Sequence, residues 1–205
     1  DKTVKKISPS GEEIWTFSRH GGWVQSVAVD DNGNVYSGSH DKTVKKISPS
    51  GSEIWAFEGH YNTVSSVAID NNGNIYSGSA DKTVKKISSS GELIWTFNGH
   101  GSVVESVAVD DDSVYSGSKD KTVKKISPSG EEIWTFSGHS EGVYSVAVDN
   151  NGNVYSGSWD KTVKKISSSG ELIWTFSEHR NVVDSVTVDN NGNIYSGSAD
   201  KTVKK

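Results

Sequence analysis

Serine, histidine and aspartate recur together in every segment of this 205-residue chain. These are the side chains of a nucleophile–base–orienter triad. A hydrolase, however, needs one asymmetric site, and here the same residues return in near-identical copies. A side chain repeated in each unit is expected to serve the frame. No nucleophile elbow or oxyanion-type loop accompanies the copies. A second set with chemical potential is Asp-x-Asn-Gly-Asn, at 30–34, 70–74, 149–153 and 189–193. Clustered carboxylates and amides suit a hard cation. Yet the glycine falls at the fourth place rather than the sixth, and no glutamate follows at the twelfth, so a hairpin turn is expected and no metal site. Cysteine is absent, which removes disulfides, thiolate catalysis and thiolate-bound metals.

The elements that position these residues are set by one stretch, Ser-Gly-Ser-x-Asp-Lys-Thr-Val-Lys-Lys. It occurs at 37–46, 77–86, 116–125, 156–165 and 196–205, and a truncated copy occupies 1–6. The short unit has lost one residue at Asp110-Asp111-Asp112-Ser113. A period near 40 residues signals a solenoid or a propeller. One unit shows the pattern. Val64 to Asp70 alternates as a strand, and Asn71 to Asn74 is a turn with Gly73 supplying a positive φ. Ile75 to Ser79 is a second strand, Thr83 to Ser88 a third, and Glu92 to Phe97 a fourth. No connection is long enough for a crossover helix. Four short antiparallel strands per unit predict an all-β propeller built from four-stranded blades. Complete blades are expected at 24–57, 64–97, 104–136 and 143–176. A fifth, composite blade is expected from 1–17 joined to 183–205, giving one domain of five blades. Because 200–205 repeats 1–6, one copy must be displaced, or chains must exchange ends into a homo-oligomer. The chain opens on Asp and both begins and stops inside the motif, which reads as a processed product or a segment of a longer array.

The units resemble WD repeats: Gly-His, then Val-x-x-Val, then Ser-Gly-Ser-x-Asp-x-Thr-Val, in register along the whole chain. One departure is Ile-Ser where the family carries Trp-Asp (Ile47-Ser48 is an example). The segment Lys-Ile-Ser-Pro-Ser-Gly-Glu-Glu-Ile-Trp-Thr-Phe is similar to propeller repeats of the pyrroloquinoline-quinone type. That likeness implies that Trp15, Trp55, Trp95, Trp134 and Trp174 do the packing of the missing tryptophan. The WD resemblance implies that a histidine bonds the turn aspartate and a second-strand serine or threonine. Carried over, the structural pairs are His20 with Asp41, His60 with Asp81 (and Ser77 or Ser79), His100 with Asp120, His139 with Asp160, and His179 with Asp200. The quinone likeness also raises a dehydrogenase. Such enzymes have more blades, a central calcium and neighbouring cysteines, none of which this sequence offers, so no cofactor is expected.

Net charge is −5, and 18 of the 21 Lys and Arg belong to the repeated motif. Regularly spread lysine on an acidic chain is not the clustered basic face that binds nucleic acid, and no apolar run is long enough to span a membrane as a helix. The motif lysines are expected to keep outer strands soluble and to pair with fourth-strand glutamate, for example Lys46 with Glu53.

Variation between units collects at three places. The residue before the motif Asp is His40, Ala80, Lys119, Trp159 or Ala199. The loop after the histidine carries Trp23, Tyr61, Thr63, Val103 and Arg180. The residue after the first-strand valine is Gln25, Ser65, Glu105, Tyr144 or Asp184. All three lie near one end of the blade, and in WD-repeat proteins that face is the usual docking surface. The expectation is a non-enzymatic module that binds a protein or peptide through this face. The alternatives are a lectin-like carbohydrate binder, for which aromatics repeated in each blade would be expected, and a ligand-free structural or engineered repeat.

Overall fold

The computed structural model describes residues 1–110 and 113–205; Asp111 and Asp112, where the sequence of this unit is one residue short, lie outside the described residues. The chain opens with β1 (Val4–Ile7) and β2 (Glu13–Phe17), paired as a two-stranded sheet. Four complete antiparallel sheets follow. The first is β3 (Val24–Val29), β4 (Val35–Ser39), β5 (Val44–Ile47) and β6 (Glu53–Phe57). The second is β7 (Val64–Ile69), β8 (Ile75–Ser79), β9 (Val84–Ile87) and β10 (Leu93–Phe97). The third is β11 (Val104–Val109), β12 (Val114–Ser118), β13 (Val123–Ile126) and β14 (Glu132–Phe136). The fourth is β15 (Val143–Val148), β16 (Val154–Ser158), β17 (Val163–Ile166) and β18 (Leu172–Phe176). A three-stranded sheet of β19 (Val183–Val188), β20 (Ile194–Ser198) and the short β21 (Val203–Lys204) closes the chain. β20 therefore pairs with β21, not with β1. The third and fourth strands of each unit are slightly shorter than their sequence pattern suggests.

First strands lie side by side along the inside of the arc, β3 against β7, β7 against β11, β11 against β15 and β15 against β19. The core is built between blades rather than within them. Tyr36, Val44 and Phe57 of one blade pack with Val64, Val67, Ile75 and Ile87 of the next, and the later junctions repeat this set. Stability is thus a sum of nearest-neighbour junctions, as in other repeat folds. Each junction needs a glycine in the second strand. A Cβ at Gly38 would sit 2.7 Å from Val64 Cγ1, so only glycine lets the next inner strand approach.

The Asp-x-Asn-Gly-Asn segments are hairpin turns. Asp70 Oδ1 accepts the Asn74 amide N–H, and its Oδ2 accepts from the Asn74 side-chain amide and the Tyr76 hydroxyl. The carboxylate locks its own turn and leaves little free capacity for a cation. The second turn places a non-glycine at positive φ in all five copies: Lys42, Lys82, Lys121, Lys161 and Lys201, near +70°. Such a residue costs about 1 kcal/mol, and the turn aspartate offsets it. Asp81 Oδ1 accepts from both the amide and the hydroxyl of Thr83, two residues on.

The lysine–glutamate pairing differs from the sequence expectation. Lys45, not Lys46, bonds Glu53, at 3.0 Å. A bulge between Lys46 and Ile47 shifts the register of β5 on β6 and turns Lys45 toward the carboxylate. Lys46 instead lies over the Tyr36 ring and donates to the Ser89 carbonyl of the next blade.

Candidate interaction face

The histidine network fixes one end of every blade. The His60 side chain is wholly buried. Its Nδ1 donates to Asp81 Oδ2 at 2.8 Å, and its Nε2 meets the Ser77 hydroxyl at 2.7 Å. Ser77 is thus the serine partner. Ser79 instead accepts the Asp81 amide N–H and donates to the Asn62 carbonyl. The same arrangement joins His20 to Asp41 and Ser37, His100 to Asp120 and Ser116, His139 to Asp160 and Ser156, and His179 to Asp200 and Ser196. Burial alone would raise the Asp81 carboxyl. Hydrogen bonds from His60 and Thr83 outweigh it and hold the group well below the usual carboxylate range. Asp41 is lowered to about 2 by the same balance, burial opposing the bonds from Thr43 and His20. The connectivity is that of a Ser-His-Asp triad, but the His60 side chain and Ser77 are both fully buried, so this serine presents no nucleophile to solvent.

One chemical signature escapes a reading by repeats. Gly138-His139-Ser140-Glu141-Gly142 spells Gly-x-Ser-x-Gly. It lies in the loop between β14 and β15, with no helix after it. The Ser140 amide donates to Asp160 Oδ2, while His139 is held by Asp160 and Ser156. The letters of an elbow are present without the strand–turn–helix context that makes one.

The network ties the two connections at this end of the blade together, and the backbone finishes the job. The residue before each motif Asp donates its N–H to the loop that leads into the first strand: His40 to the Trp23 carbonyl, Ala80 to Thr63, Lys119 to Val103, Trp159 to Gly142 and Ala199 to Val182. The three variable places therefore meet on one face, held by main-chain bonds that are indifferent to side-chain identity.

Two clusters result. In the blade of β3, the rings of Trp23 and His40 lie 5.3 Å apart, and Gln25 bonds His40. The second cluster spans two blades. Lys119 bonds Glu105 at 2.6 Å, and its ammonium lies 5.4 Å from the centroid of the Tyr144 ring. Tyr144 in turn stacks on Trp159, centroids 4.7 Å apart and planes within 3°. The Glu105 bond holds the Lys119 ammonium charged beyond its usual range. Trp23 and Trp159 remain 61% and 48% exposed. Between the clusters, Ala80 and Ser65 leave a blade with small side chains, beside which Tyr61 stands 85% exposed. Arg180 and Asp184 stand exposed on the last sheet, and the Arg180 amide donates to Asp200.

Comparison with known proteins agrees with this geometry. The model described as WD domain, G-beta repeat, matches residues 11–47, 130–166 and 170–205. One described as outer membrane protein assembly factor BamB matches residues 40–128. No curated protein sequence is matched significantly. Among solved structures, the WD40 β-propeller domain of Doa1 is similar at 30% identity and a TM-score of 0.89, over 99% of this chain and 71% of that one. The computationally designed Ika8 protein is similar at 32% identity and a TM-score of 0.88, over 100% of this chain and 64% of that one. Repeats that match along most of the sequence, and blades that superpose on a WD40 domain over nearly the whole chain, place this protein in the WD40-repeat family of β-propellers.

Proposed function

We propose that this chain is a non-catalytic binding platform that takes a protein or peptide on the face carrying the variable residues. The observation that supports the reading best is the Trp159–Tyr144 stack, with Lys119 against the same tyrosine. A coplanar pair with half of its indole exposed is a rigid apolar shelf. Its conformational entropy is already spent, and a charged group sits at its edge. Aromatic and cationic anchors of this kind dominate protein interfaces. The WD40 fold fits such a scaffold role, and the family is generally non-enzymatic. The aromatics differ from blade to blade, which favours one extended partner over a small ligand repeated in each blade. The near-identity of the frame and the likeness to a designed propeller are compatible with a structural protein that binds nothing, and one experiment separates the two.

A displayed library of random peptides is panned against the chain, and enriched peptides are titrated by tryptophan fluorescence. Binding is expected to weaken at least tenfold in Trp159→Ala and to change little in Ile54→Ala, whose side chain is exposed on β6, outside this face. No enrichment over scrambled peptides, or binding indifferent to Trp159→Ala, Trp23→Ala and Lys119→Ala alike, overturns the reading.

A further inference from the structure

The variable side chains follow one another in a fixed order around the face. Each blade contributes two of them, the residue after the first-strand valine and the residue before the motif Asp. From the blade of β11 to the sheet of β19 the order is Glu105, Lys119, Tyr144, Trp159, Asp184 and Ala199. The contacts run down this order. Glu105 bonds Lys119 within one blade, Lys119 reaches Tyr144 in the next, and Tyr144 stacks on Trp159. The step that follows, from Trp159 to Asp184, again passes from one blade to the next.

This step carries two groups that nothing in the chain covers. Trp159 has one ring face against Tyr144, with planes within 3°, and is still 48% exposed, which leaves its other face uncovered. Asp184 is exposed on β19. Among the described residues no lysine, arginine or histidine makes an ion pair with it. In the sheet of β11 the carboxylate of Glu105 is matched by Lys119; in the sheet of β19 Ala199 stands in the lysine's place and offers no charge. Asp184 is nevertheless close enough to act on the stacked rings. Burial raises the Tyr144 phenol, Lys119 opposes this, and the carboxylates of Glu105 and Asp184 add to it.

The Lys119 cluster shows what such a step accepts. There an ammonium lies between a carboxylate, at 2.6 Å, and an aromatic ring whose centroid is 5.4 Å away. At the Trp159–Asp184 step the ring and the carboxylate are present and the cation is missing. An indole face attracts a cation more strongly than any other side-chain ring, and a carboxylate beside it adds a charge-assisted bond. A guanidinium serves both at once: its plane stacks on the flat indole while its fork of N–H groups donates to the carboxylate. An ammonium satisfies the carboxylate but does not cover the ring. A carboxylate in its place would meet Asp184, while Lys119, the cation at the far end of the stack, is already held by Glu105.

We infer that the anchor of the bound partner is an arginine side chain, laid on the uncovered face of Trp159 and donating to the Asp184 carboxylate. The inference rests on the peptide-binding reading above and adds the chemistry of the residue that is held.

The test reads arginine rather than binding as such. Peptides enriched from the displayed library are sequenced and resynthesised with arginine replaced by citrulline, which keeps the shape and loses the charge. Arginine is expected to be over-represented at one position, and citrulline there to weaken binding about tenfold or more. Lysine at that position is expected to fall between the two. Asp184→Asn, an isosteric change of an exposed side chain, is expected to weaken the arginine peptide by a similar factor and to change the citrulline peptide little. Enriched peptides that depend on Trp159 but show no arginine preference, that carry an acidic anchor, or whose arginine is indifferent to Asp184→Asn overturn this inference and leave the binding platform standing. Absence of any enrichment overturns both.

Discussion

Replacing His60 by Ala should cost about 3–5 kcal/mol of unfolding free energy. The imidazole is wholly buried between Asp81 and Ser77 and stands edge-on to Phe57. Its bond to the carboxylate is charge-assisted, at about 1.5–3 kcal/mol, and the bond to Ser77 adds about 1 kcal/mol. Truncation also leaves the Ser77 hydroxyl, fully buried in β8, without a partner, at about 1–3 kcal/mol. These contributions overlap, so their simple total is an upper bound. A chain of this size has on the order of 10–30 kcal/mol to lose, and the effect is a visible shift of a urea midpoint followed by tryptophan fluorescence. The double variant His60→Ala/Ser77→Ala removes the orphaned hydroxyl and should be at least 1 kcal/mol less damaging than the two single losses added together. His179 makes the same bonds in a three-stranded sheet whose β21 is paired over only two residues, and His179→Ala should loosen that sheet locally with a smaller effect on the global midpoint. A loss below 1 kcal/mol for His60→Ala, or strict additivity with Ser77→Ala, would refute the view that the network is the frame.

The acid limb of stability should trace the turn aspartates. Asp41 is lowered to about 2 from the ordinary 3.8, so the unfolded chain binds more protons in that interval. Stability is fully present above pH 4 and falls as pH drops from about 4 toward 2. Asp41, 14% exposed, contributes on the order of 1 kcal/mol after solvent screening. Thermal melts between pH 2 and 6 should show the decline, and Asp41→Asn should flatten it; an unchanged slope in that variant counts against the assignment. A gain is expected at Leu93. Lys5, Lys45 and Lys124 each bond a glutamate at the start of the fourth strand, at 2.6–3.0 Å. Lys85 is 5% exposed and, among the described residues, bonds Thr96 alone, because Leu93 stands in the glutamate position. Burial lowers the pKa of its ammonium. Leu93→Glu should supply the missing counter-charge and stabilise the chain by about 0.5–1 kcal/mol in urea titration, whereas a neutral or negative result would show that the Thr96 bond suffices.

Periodicity and composition made the blades legible because alternating β-branched strands, glycine turns and a 40-residue repeat are local properties. What escaped was set by geometry between strands. The choice of Lys45 over Lys46 follows from a bulge that no residue type announces. The left-handed lysines were invisible for the opposite reason. Lysine has no preference for positive φ, and only the Asp81–Thr83 bonds that hold the turn explain its tolerance there. The glycine of Ser-Gly-Ser has no local reason in the strand; only the Val64 side chain packed against Gly38 explains it. The variable face was legible residue by residue, but not the pairing of Tyr144 with Trp159 or the reach of Lys119 from the neighbouring blade. Counting strands also yields an inventory of five blades without giving the curvature that decides whether one chain can close on itself.

The frame and the face draw on different atoms, and this explains how one can be constant while the other varies. Junctions use side chains that point between blades: valine on glycine, tryptophan on a turn carbonyl, serine on an amide. The histidine network uses side chains buried at the blade end. The frame holds the residue before each motif Asp through its backbone N–H, and the variable side chains bond or stack on one another, so the change from Ala80 in one blade to Lys119 or Trp159 in the next alters no bond of the frame. Side-chain diversity at these places is therefore nearly free in stability, a condition under which a binding surface can diverge on duplicated repeats.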